Sequence, residues 1–453
     1  MRAALWCCFG LAVLLVLLVV ALGVVFRTAI YHRYVLFPKQ AAAWTAIRAQ
    51  RQPVTLDDGW KEFRGAMHSH SELSHDSKVS FPDILQALKK ADVSFICMTD
   101  HPVDHKGDYS RGWKGIHDGI LFVRGYEMDY GYMPWGIPDD TVLDDHEDAA
   151  VLAKRIHDLG GALFMGGVLF IAHSEEKRPW ELPEIDGMEI YNIHSDLIMN
   201  GSLAKLVPDV LLSLWSYPDQ TIRLIFHRPK EFLRHWDEMN IMRRMTGIAA
   251  NDAHQNNGVR GVYTPAGTFE IFDTGHIDRP FKEFRLNGFT RLLLGTFFGP
   301  LEPGRQLFRL DIDPYERSTR FANTHLLMRE LTEPAILDAL RHSRAFVGFD
   351  MIADARGFKF LAESPKGKAT IGESIALDPG LKLRMASPNA CRFTVFRHGV
   401  QVAQQEGTTF DWTPPDTGKY RVEAELNIVG EWTPWVYTNP IEVLPAGTGG
   451  SDA

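Results

Sequence analysis

Histidine and acidic residues recur in short clusters through the first 254 residues of the chain. Imidazole and carboxylate groups are the ligands that divalent Zn, Mn or Fe prefer. One tetrahedral ion takes four ligands, so a set of this size predicts a centre of two or three metal ions. The clusters are His68-Ser69-His70, Ser74-His75-Asp76, Thr99-Asp100-His101, Gly125-Tyr126-Glu127, Ile171-Ala172-His173 and Asn251-Asp252-Ala253-His254.

Short apolar runs stand just before most of these clusters, as buried strands would. In a barrel of parallel strands the chemical groups collect at the C-terminal strand ends, so this order predicts such a barrel. The runs cover residues 95–98, 121–123, 169–171 and 247–250, before Asp100, Glu127, His173 and Asp252 respectively.

As an ordered set, the motifs HxH, SHD, TDH, GxE, AH and NDAH resemble those of the polymerase and histidinol phosphatase (PHP) superfamily of metal-dependent phosphoesterases. The resemblance covers about residues 62–260. It implies an α/β fold, a distorted (β/α)7 barrel, with a two- or three-metal centre. The implied activity is hydrolysis of phosphoester bonds by a metal-activated hydroxide, as a phosphatase or phosphodiesterase.

The same resemblance implies a ligand set. Glu127 matches the carboxylate that bridges two ions. The family has a ligand five or six residues after the second histidine, where this chain has His75 and Asp76, and both are kept as candidates. On the segment 187–194 the expected ligand is His194, with Asn192 as the alternative. The remaining implied ligands are His68, His70, His101, His173, Asp252 and His254.

Three further residues are candidates for catalysis beside the metals. Asp100 is expected to orient a ligand histidine, and Arg178 and Arg260 to contact a substrate phosphate. The sequence has no G-x-S-x-G elbow, Walker loop or dinucleotide fingerprint that would indicate another chemistry. The alternative functions are a related amidohydrolase-type hydrolase and a non-catalytic PHP-like membrane protein.

The N-terminus has an uncharged run from Ala4 to Phe26. As a helix it would measure roughly 30 Å, which predicts a transmembrane anchor within residues 1–30 rather than a signal peptide. Residues 31–61 are then a juxtamembrane connector, with a short helix at 41–49. Positive-inside counting favours a cytoplasmic catalytic part, but long domains translocate regardless of charge, and we expect the extracytoplasmic side.

Composition limits the partners. The length of 453 residues predicts two or three domains, and the net charge of −9 argues against a general nucleic-acid binder. We expect a small phosphorylated substrate, with nucleic acid only as a substrate end, while the oligomeric state stays open. Four cysteines imply no disulfide framework.

The sequence predicts a helix at 330–342 and a strand at 345–349. In the proteins that the chain resembles such a pair returns to the barrel, so the resemblance implies a catalytic domain over residues 62–362. Beyond it, short alternating strands separated by turns indicate an immunoglobulin-like β-sandwich over 365–445, an accessory domain. Residues 446–453 are predicted to form a flexible tail.

Overall fold

The computed structural model describes residues 23–159, 167–174, 177–200, 203–275 and 279–447, together with positions 6, 9, 13, 17 and 20. Helices and strands alternate in the first half, and strands dominate the last quarter, so the expected α/β class is confirmed at that level. The helices are α1 Phe37–Ala49, α2 Phe81–Ala91, α3 Ala149–Asp158, α4 Ile193–Asn200, α5 Leu203–Ser213, α6 Pro218–Arg223, α7 Lys230–Met242, α8 Gly288–Phe298, α9 Tyr315–Phe321 and α10 Glu333–Arg341, with a π-helical turn at His32–Leu36 and a 3₁₀ turn at Asp129–Gly131.

The strands form four hydrogen-bonded sheets within the described residues. They are β1 Lys61–Met67, β2 Phe95–Cys97, β3 Lys106–Asp108, β4 Gly115–His117, β5 Ile120–Val123, β6 Tyr132–Trp135, β7 Val142–Asp144, β8 Val168–Ile171, β9 Gly187–Asn192, β10 Thr246–Ala250, β11 Gly258–Tyr263, β12 Thr268–Asp273, β13 Lys282–Arg285, β14 Gln306–Asp311, β15 Asn323–Met328, β16 Ala345–Gly348, β17 Lys359–Ser364, β18 Gly367–Thr370, β19 Ser374–Ala376, β20 Lys382–Arg397, β21 Val400–Trp412, β22 Gly418–Ile428, β23 Glu431–Thr438 and β24 Ile441–Leu444.

A ring of strands carries the functional residues, in the order β1-β2-β5-β6-β8-β9-β10. Within it β1, β2 and β5 pair in parallel, and so do β8, β9 and β10. Strand β6 is antiparallel to β8 and meets β5 through a single bridge between Gly125 and Trp135. A bridge between Ser69 and Ala253 joins β1 to β10. The C-terminal ends of the parallel strands therefore share one edge of the ring.

Helix α2 shows how local sequence sets these elements. Its N-cap Ser80 accepts a hydrogen bond from the backbone N–H of Asp83, and a proline occupies the first turn. Ile84 and Leu88 lie on one face and are buried against the sheet. The helix ends at Asp92, whose φ of 57° is left-handed. The capping residues and the apolar face thus fix where α2 begins and ends.

The C-terminal strands continue the sheet that begins in the ring. Strand β15 pairs with β1, β16 with β15, and β23 with β16, all antiparallel. The boundary expected at 362–365 lies inside β17, which pairs with both β18 and β20. Phe349 and Tyr437 pack edge to face, with ring centroids 5.5 Å apart. The two regions thus share backbone pairing and core, and an independent accessory domain stays a prediction.

A buried ion pair also joins these two regions. The Arg421 guanidinium on β22 donates to both carboxylate oxygens of Asp237 on α7, at 2.6 and 2.7 Å. This forked geometry fixes orientation as well as position. Arg421 also donates to Glu423 Oε1 at 2.8 Å, so a buried cluster of charges ties β22 to α7.

Residues 258–311 form an antiparallel sheet in the order β13-β12-β11-β14. Helix α8 lies between β13 and β14 in the chain and begins with a capping box formed by Asn287 and Thr290. No residue from 279 to 314, all of which are described, is buried. This part of the molecule therefore projects from the body.

The predicted anchor at Ala4–Phe26 falls mostly outside the described residues. Among the residues that the structure does describe, no helix has both the length and the apolar character needed to cross a bilayer. This finding contradicts the single-pass prediction, and the extracytoplasmic placement that depended on it is corrected with it. Most of the predicted tail, residues 448–453, also lies outside the described residues.

The segment expected to be a juxtamembrane connector packs on the body of the protein. Its helix α1 buries Phe37 and Trp44, which confirms the helix predicted at 41–49. The Arg48 guanidinium donates to the carbonyl of Ile352 at 3.0 Å. These contacts tie the segment to the loop after β16.

Candidate metal centre

The ring edge brings together the C-terminal ends of β1, β2, β5, β8 and β10. Because these strands are parallel, residues distant in sequence meet at one place. The side chains form three groups, and within each group the ligand atoms all lie within 4.8 Å of one another. The groups are His68, His70 and Glu127; His68, His173 and Asp252; and His70, Asp76, His101 and His254.

Glu127 lies between these groups. Its Oε2 is 3.0 Å from His68 Nε2 and its Oε1 is 3.1 Å from His173 Nε2. Burial would raise the pKa of Glu127, but the imidazoles of His68 and His173 hold it well below its usual range. The side chain is therefore an anion with its two oxygens directed at different imidazoles. This is the geometry of a carboxylate that bridges two cations.

Asp252 is the second buried acid of the centre. Its Oδ1 lies 3.4 Å from both His68 Nε2 and His70 Nε2. His254 Nε2 similarly lies 3.1 Å from Asp76 Oδ2. Yet neither Asp252 Oδ1 nor His254 Nε2 makes a hydrogen bond of acceptable geometry in the described residues. Buried polar atoms that converge without hydrogen bonding fit a shared divalent ion.

The histidine rings are held by their second nitrogen. His173 Nδ1 lies 2.9 Å from Ser195 Oγ, and His254 Nδ1 lies 2.9 Å from the Asp252 carbonyl. His70 Nδ1 lies 3.2 Å from Ser74 Oγ. These contacts leave each Nε2 directed at the centre, as the outer contacts of metal-bound histidines do.

The structure separates the two neighbouring candidates His75 and Asp76. Asp76 Oδ2 lies 3.4 Å from His101 Nε2 and 3.1 Å from His254 Nε2. Ser74 Oγ donates to its other oxygen at 2.8 Å. His75 is exposed, and its ring lies beside that of His101 at a centroid distance of 4.8 Å. Only Asp76 joins a ligand group in the described residues.

On β9 the sequence analysis missed Glu189. This side chain is fully buried, and its Oε1 lies 2.5 Å from His68 Nδ1. Its Oε2 accepts from Asn192 Nδ2 at 2.9 Å and from the backbone N–H of His173 at 2.8 Å. A carboxylate on the far nitrogen of a ligand histidine sets the ring's tautomer and orientation. The sequence signal that could have identified Glu189 is an acidic residue inside the apolar strand GMEIYN, because a buried carboxylate needs a charged or hydrogen-bonding partner.

His194, the ligand expected on this segment, belongs to none of the three groups. Its ring centroid lies 6.3 Å from that of His173 and 6.4 Å from that of His254. Asn192, the alternative, donates to Asp252 Oδ2 at 3.3 Å. The segment thus meets the centre through Glu189 and Asn192 rather than through His194.

Asp100 has a different contact from the one expected. It accepts hydrogen bonds from the backbone N–H of Ser71 at 2.5 Å and from the Ser71 hydroxyl at 2.9 Å. Burial raises the pKa of Asp100 to about 6. Its partner follows His70 in the chain, so Asp100 positions the loop that carries the HxH pair and not a histidine ring.

The two arginines expected at a substrate phosphate lie in different places. Arg178 lines a cavity of about 490 Å³ beside Glu127, His101 and Tyr130, and its Nε is buried without a hydrogen bond in the described residues. Arg260 lies on β11, with its guanidinium 4.7 Å from the centroid of the Phe272 ring. Arg260 does not line that cavity. The structure therefore brings Arg178 to the site and places Arg260 on the projecting sheet.

Strained backbone marks the same edge of the ring. His68, His173 and Asp252 have φ values of 58°, 51° and 45°, in the left-handed region that L residues avoid. Each follows its strand by one or two residues. Such conformations cost of order 1–3 kcal/mol each, and they persist where the surrounding structure holds them for function.

Comparison with known proteins adds one likeness. No protein family and no curated protein matches the chain. Among solved structures, the chain is similar to a two-domain protein from Bacteroides vulgatus that contains a predicted PHP-like metal-dependent phosphoesterase. The TM-score is 0.36 and the identity 12%, over 87% of this chain and 99% of the other.

Proposed function

We propose that the protein is a metal-dependent phosphoester hydrolase, a phosphatase or phosphodiesterase, of the PHP type. The position of Glu127 carries the proposal, since its two oxygens face imidazoles of different ligand groups. The ring of seven strands, with β6 reversed, is then a distorted (β/α)7 barrel. The C-terminal strands over 365–445 would serve it as an accessory module.

The ligand set proposed for two or three Zn, Mn or Fe ions is His68, His70, Asp76, His101, Glu127, His173, Asp252 and His254. When bound, these ions would activate a water and neutralise the phosphoryl oxygens of the substrate. Five of the eight side chains are buried, while Asp76, His101 and His173 are partly exposed. His101 and Glu127 line the cavity, so the substrate would reach the centre through it.

Arg178 is proposed to bind the substrate phosphate. It lines the cavity that opens on Glu127, and its Nε makes no hydrogen bond to any described residue, which leaves donor capacity for an oxyanion. A planar guanidinium binds a phosphate through two parallel hydrogen bonds, which would orient the ester at the metals. A cavity of about 490 Å³ suits a small phosphorylated molecule or a nucleic-acid end.

The test is hydrolysis by the full chain after reconstitution with Zn, Mn or Fe. Phosphomonoesters and phosphodiesters form one panel, and amides and carboxylic esters form the other. We expect activity on the first panel that chelation abolishes, and a loss of about a thousandfold in Glu127→Gln, because a neutral amide cannot offset two cations. The exposed Glu181→Gln is the control. Activity confined to the second panel would indicate an amidohydrolase instead, and metal content below one equivalent would refute the centre.

A further inference from the structure

Helix α8 presents an apolar face to solvent. Phe289, Leu292, Leu293 and Phe297 are between 45% and 75% exposed. They stand at i, i+3, i+4 and i+8, so they share one side of the helix, and we call this side the α8 face. A surface helix usually directs polar residues outward, whereas α8 directs these four apolar residues outward.

The inner side of α8 already has a partner. Phe298 stacks on Phe308 of β14, with ring centroids 5.8 Å apart. Phe308 and Phe284 in turn lie 6.2 and 6.1 Å from Phe269. This row of phenylalanines seats α8 on the sheet, so the exposed α8 face is a fixed surface and not the side of a loose segment.

Basic residues surround the α8 face. Residues 279–305 contain five arginines or lysines and two glutamates, within a chain of net charge −9. Lys282 Nζ lies 5.9 Å from the centroid of the exposed Phe284 ring. Arg285 and Arg291 are exposed on the same projecting part. Apolar and positive groups therefore occur together on a protein that is otherwise acidic.

We propose that the α8 face docks on a lipid surface that contains anionic headgroups. Exposed Phe and Leu side chains bury into the headgroup boundary, and flanking Lys and Arg are attracted by anionic lipids. Eleven residues make a helix of about 16 Å, so α8 would lie along the lipid surface and not cross it. A second copy of the chain fits less well, since it would bring two positive surfaces together.

Vesicle cosedimentation of the full chain tests the proposal. Vesicles of phosphatidylcholine alone are compared with an equal mixture of phosphatidylcholine and phosphatidylglycerol. Phe289→Ser with Leu292→Ser and Phe297→Ser should lower partitioning at least about tenfold. Lys282→Glu with Arg285→Glu and Arg291→Glu should abolish the preference for the anionic mixture. The matched control, Leu211→Ser with Trp215→Ser and Met242→Ser, replaces exposed apolar residues elsewhere and should change nothing.

Hydrogen exchange measures the protection of individual backbone amides, so it distinguishes lipid binding by α8 from lipid binding by another segment. Amides of residues 281–298 should exchange more slowly with the mixed vesicles than without them, and those of the serine variant should not. Unchanged exchange over 281–298, or an equal loss in the control variant, overturns the proposal. So does a shift from dimer to monomer in the serine variant without lipid, because the partner would then be a second copy.

Discussion

Two buried histidine clusters of this protein use the same residue types for different ends. In the structural cluster, His325 on β15 lies between Glu62 and Asp350, with nitrogen–oxygen distances of 2.7 and 2.8 Å. The remaining carboxylate oxygens accept backbone hydrogen bonds from Gly357 and Ala355. Every ring nitrogen and carboxylate oxygen in this cluster therefore has a partner.

The candidate metal centre differs from this cluster in its hydrogen bonding and in its access to solvent. Asp252 Oδ1 and His254 Nε2 are buried without a hydrogen bond in the described residues, and a cavity reaches Glu127. Several imidazoles share each carboxylate there, whereas His325 alone has two. The presence of histidine and acidic residues therefore does not by itself indicate a metal site. The candidate metal centre is distinguished by ligand atoms that converge beside a cavity without hydrogen bonds among the described residues.

Among the variants that test this comparison, the largest effect is expected at Asp76, while its neighbour His75 should respond little. Asp76→Ala should remove about one metal equivalent and lower phosphoester hydrolysis about a hundredfold or more, because it takes a carboxylate from the group with His101 and His254. His75→Ala is the control and should keep the metal. Elemental analysis decides, and the reverse result would assign the ligand to His75.

The structural cluster should respond in stability and not in metal content. Burial lowers the pKa of His325, but Asp350 and Glu62 raise it further, to about 9 from 6.5. Because the pKa of His325 is raised in the folded state, its protonated ring stabilises the fold fully below about pH 6.5. This stabilisation is lost as the pH rises through about 9. His325→Gln should therefore cost about 3 kcal/mol of unfolding free energy at pH 6, a difference that narrows through pH 9. Urea unfolding across pH measures it, and a pH-independent difference would contradict it.

Glu189→Gln tests whether an outer contact supports the metal centre. The amide would still fill the space but would hold the His68 ring less well, so metal affinity should fall about 10–100-fold while the fold persists. Competition with a chelator measures the affinity. Glu181→Gln supplies the comparison, and equal affinity in both variants would show that Glu189 only fills a buried position.

The smallest effect is expected at His194. Because its ring lies outside the three ligand groups, His194→Ala should change metal content and hydrolysis less than about twofold. A lost metal equivalent would restore His194 as a ligand and would mean that α4 approaches the centre when metal binds.

Most residues of the candidate metal centre could be predicted because their motifs occur in one order along the chain. The resemblance of that ordered set to the PHP motifs indicated His68, His101 and His173 without any knowledge of tertiary contacts. It could not choose between His75 and Asp76, because one residue of loop backbone decides which side chain reaches His254. Glu189 was missed because it lies within a strand and not at a strand end.

The fold was predictable where periodicity is local. Helix α10 has amphipathic spacing, so its presence within 330–342 followed from the sequence, although it begins only at Glu333. In the sheet of residues 258–311, strands β13 and β14 bury no residue, so they lack the strong alternation of a half-buried strand. The pairing of β16 with β23 joins residues far apart in the chain, and only tertiary packing sets it.

The seam between β1 and β10 has a consequence for how the protein assembles. Its backbone hydrogen bonds run from Asp252 N to His68 O at 2.7 Å and from His70 N to Ala253 O at 3.0 Å. These four residues belong to the two motifs that hold the proposed ligands His68, His70, Asp252 and His254, so closing the ring also brings these four ligands together. The entropy of joining such distant segments is lost at that step. An ion held by His68 and Asp252 would then act as a removable cross-link between the first and last strands of the ring, and chelation would loosen the ring itself.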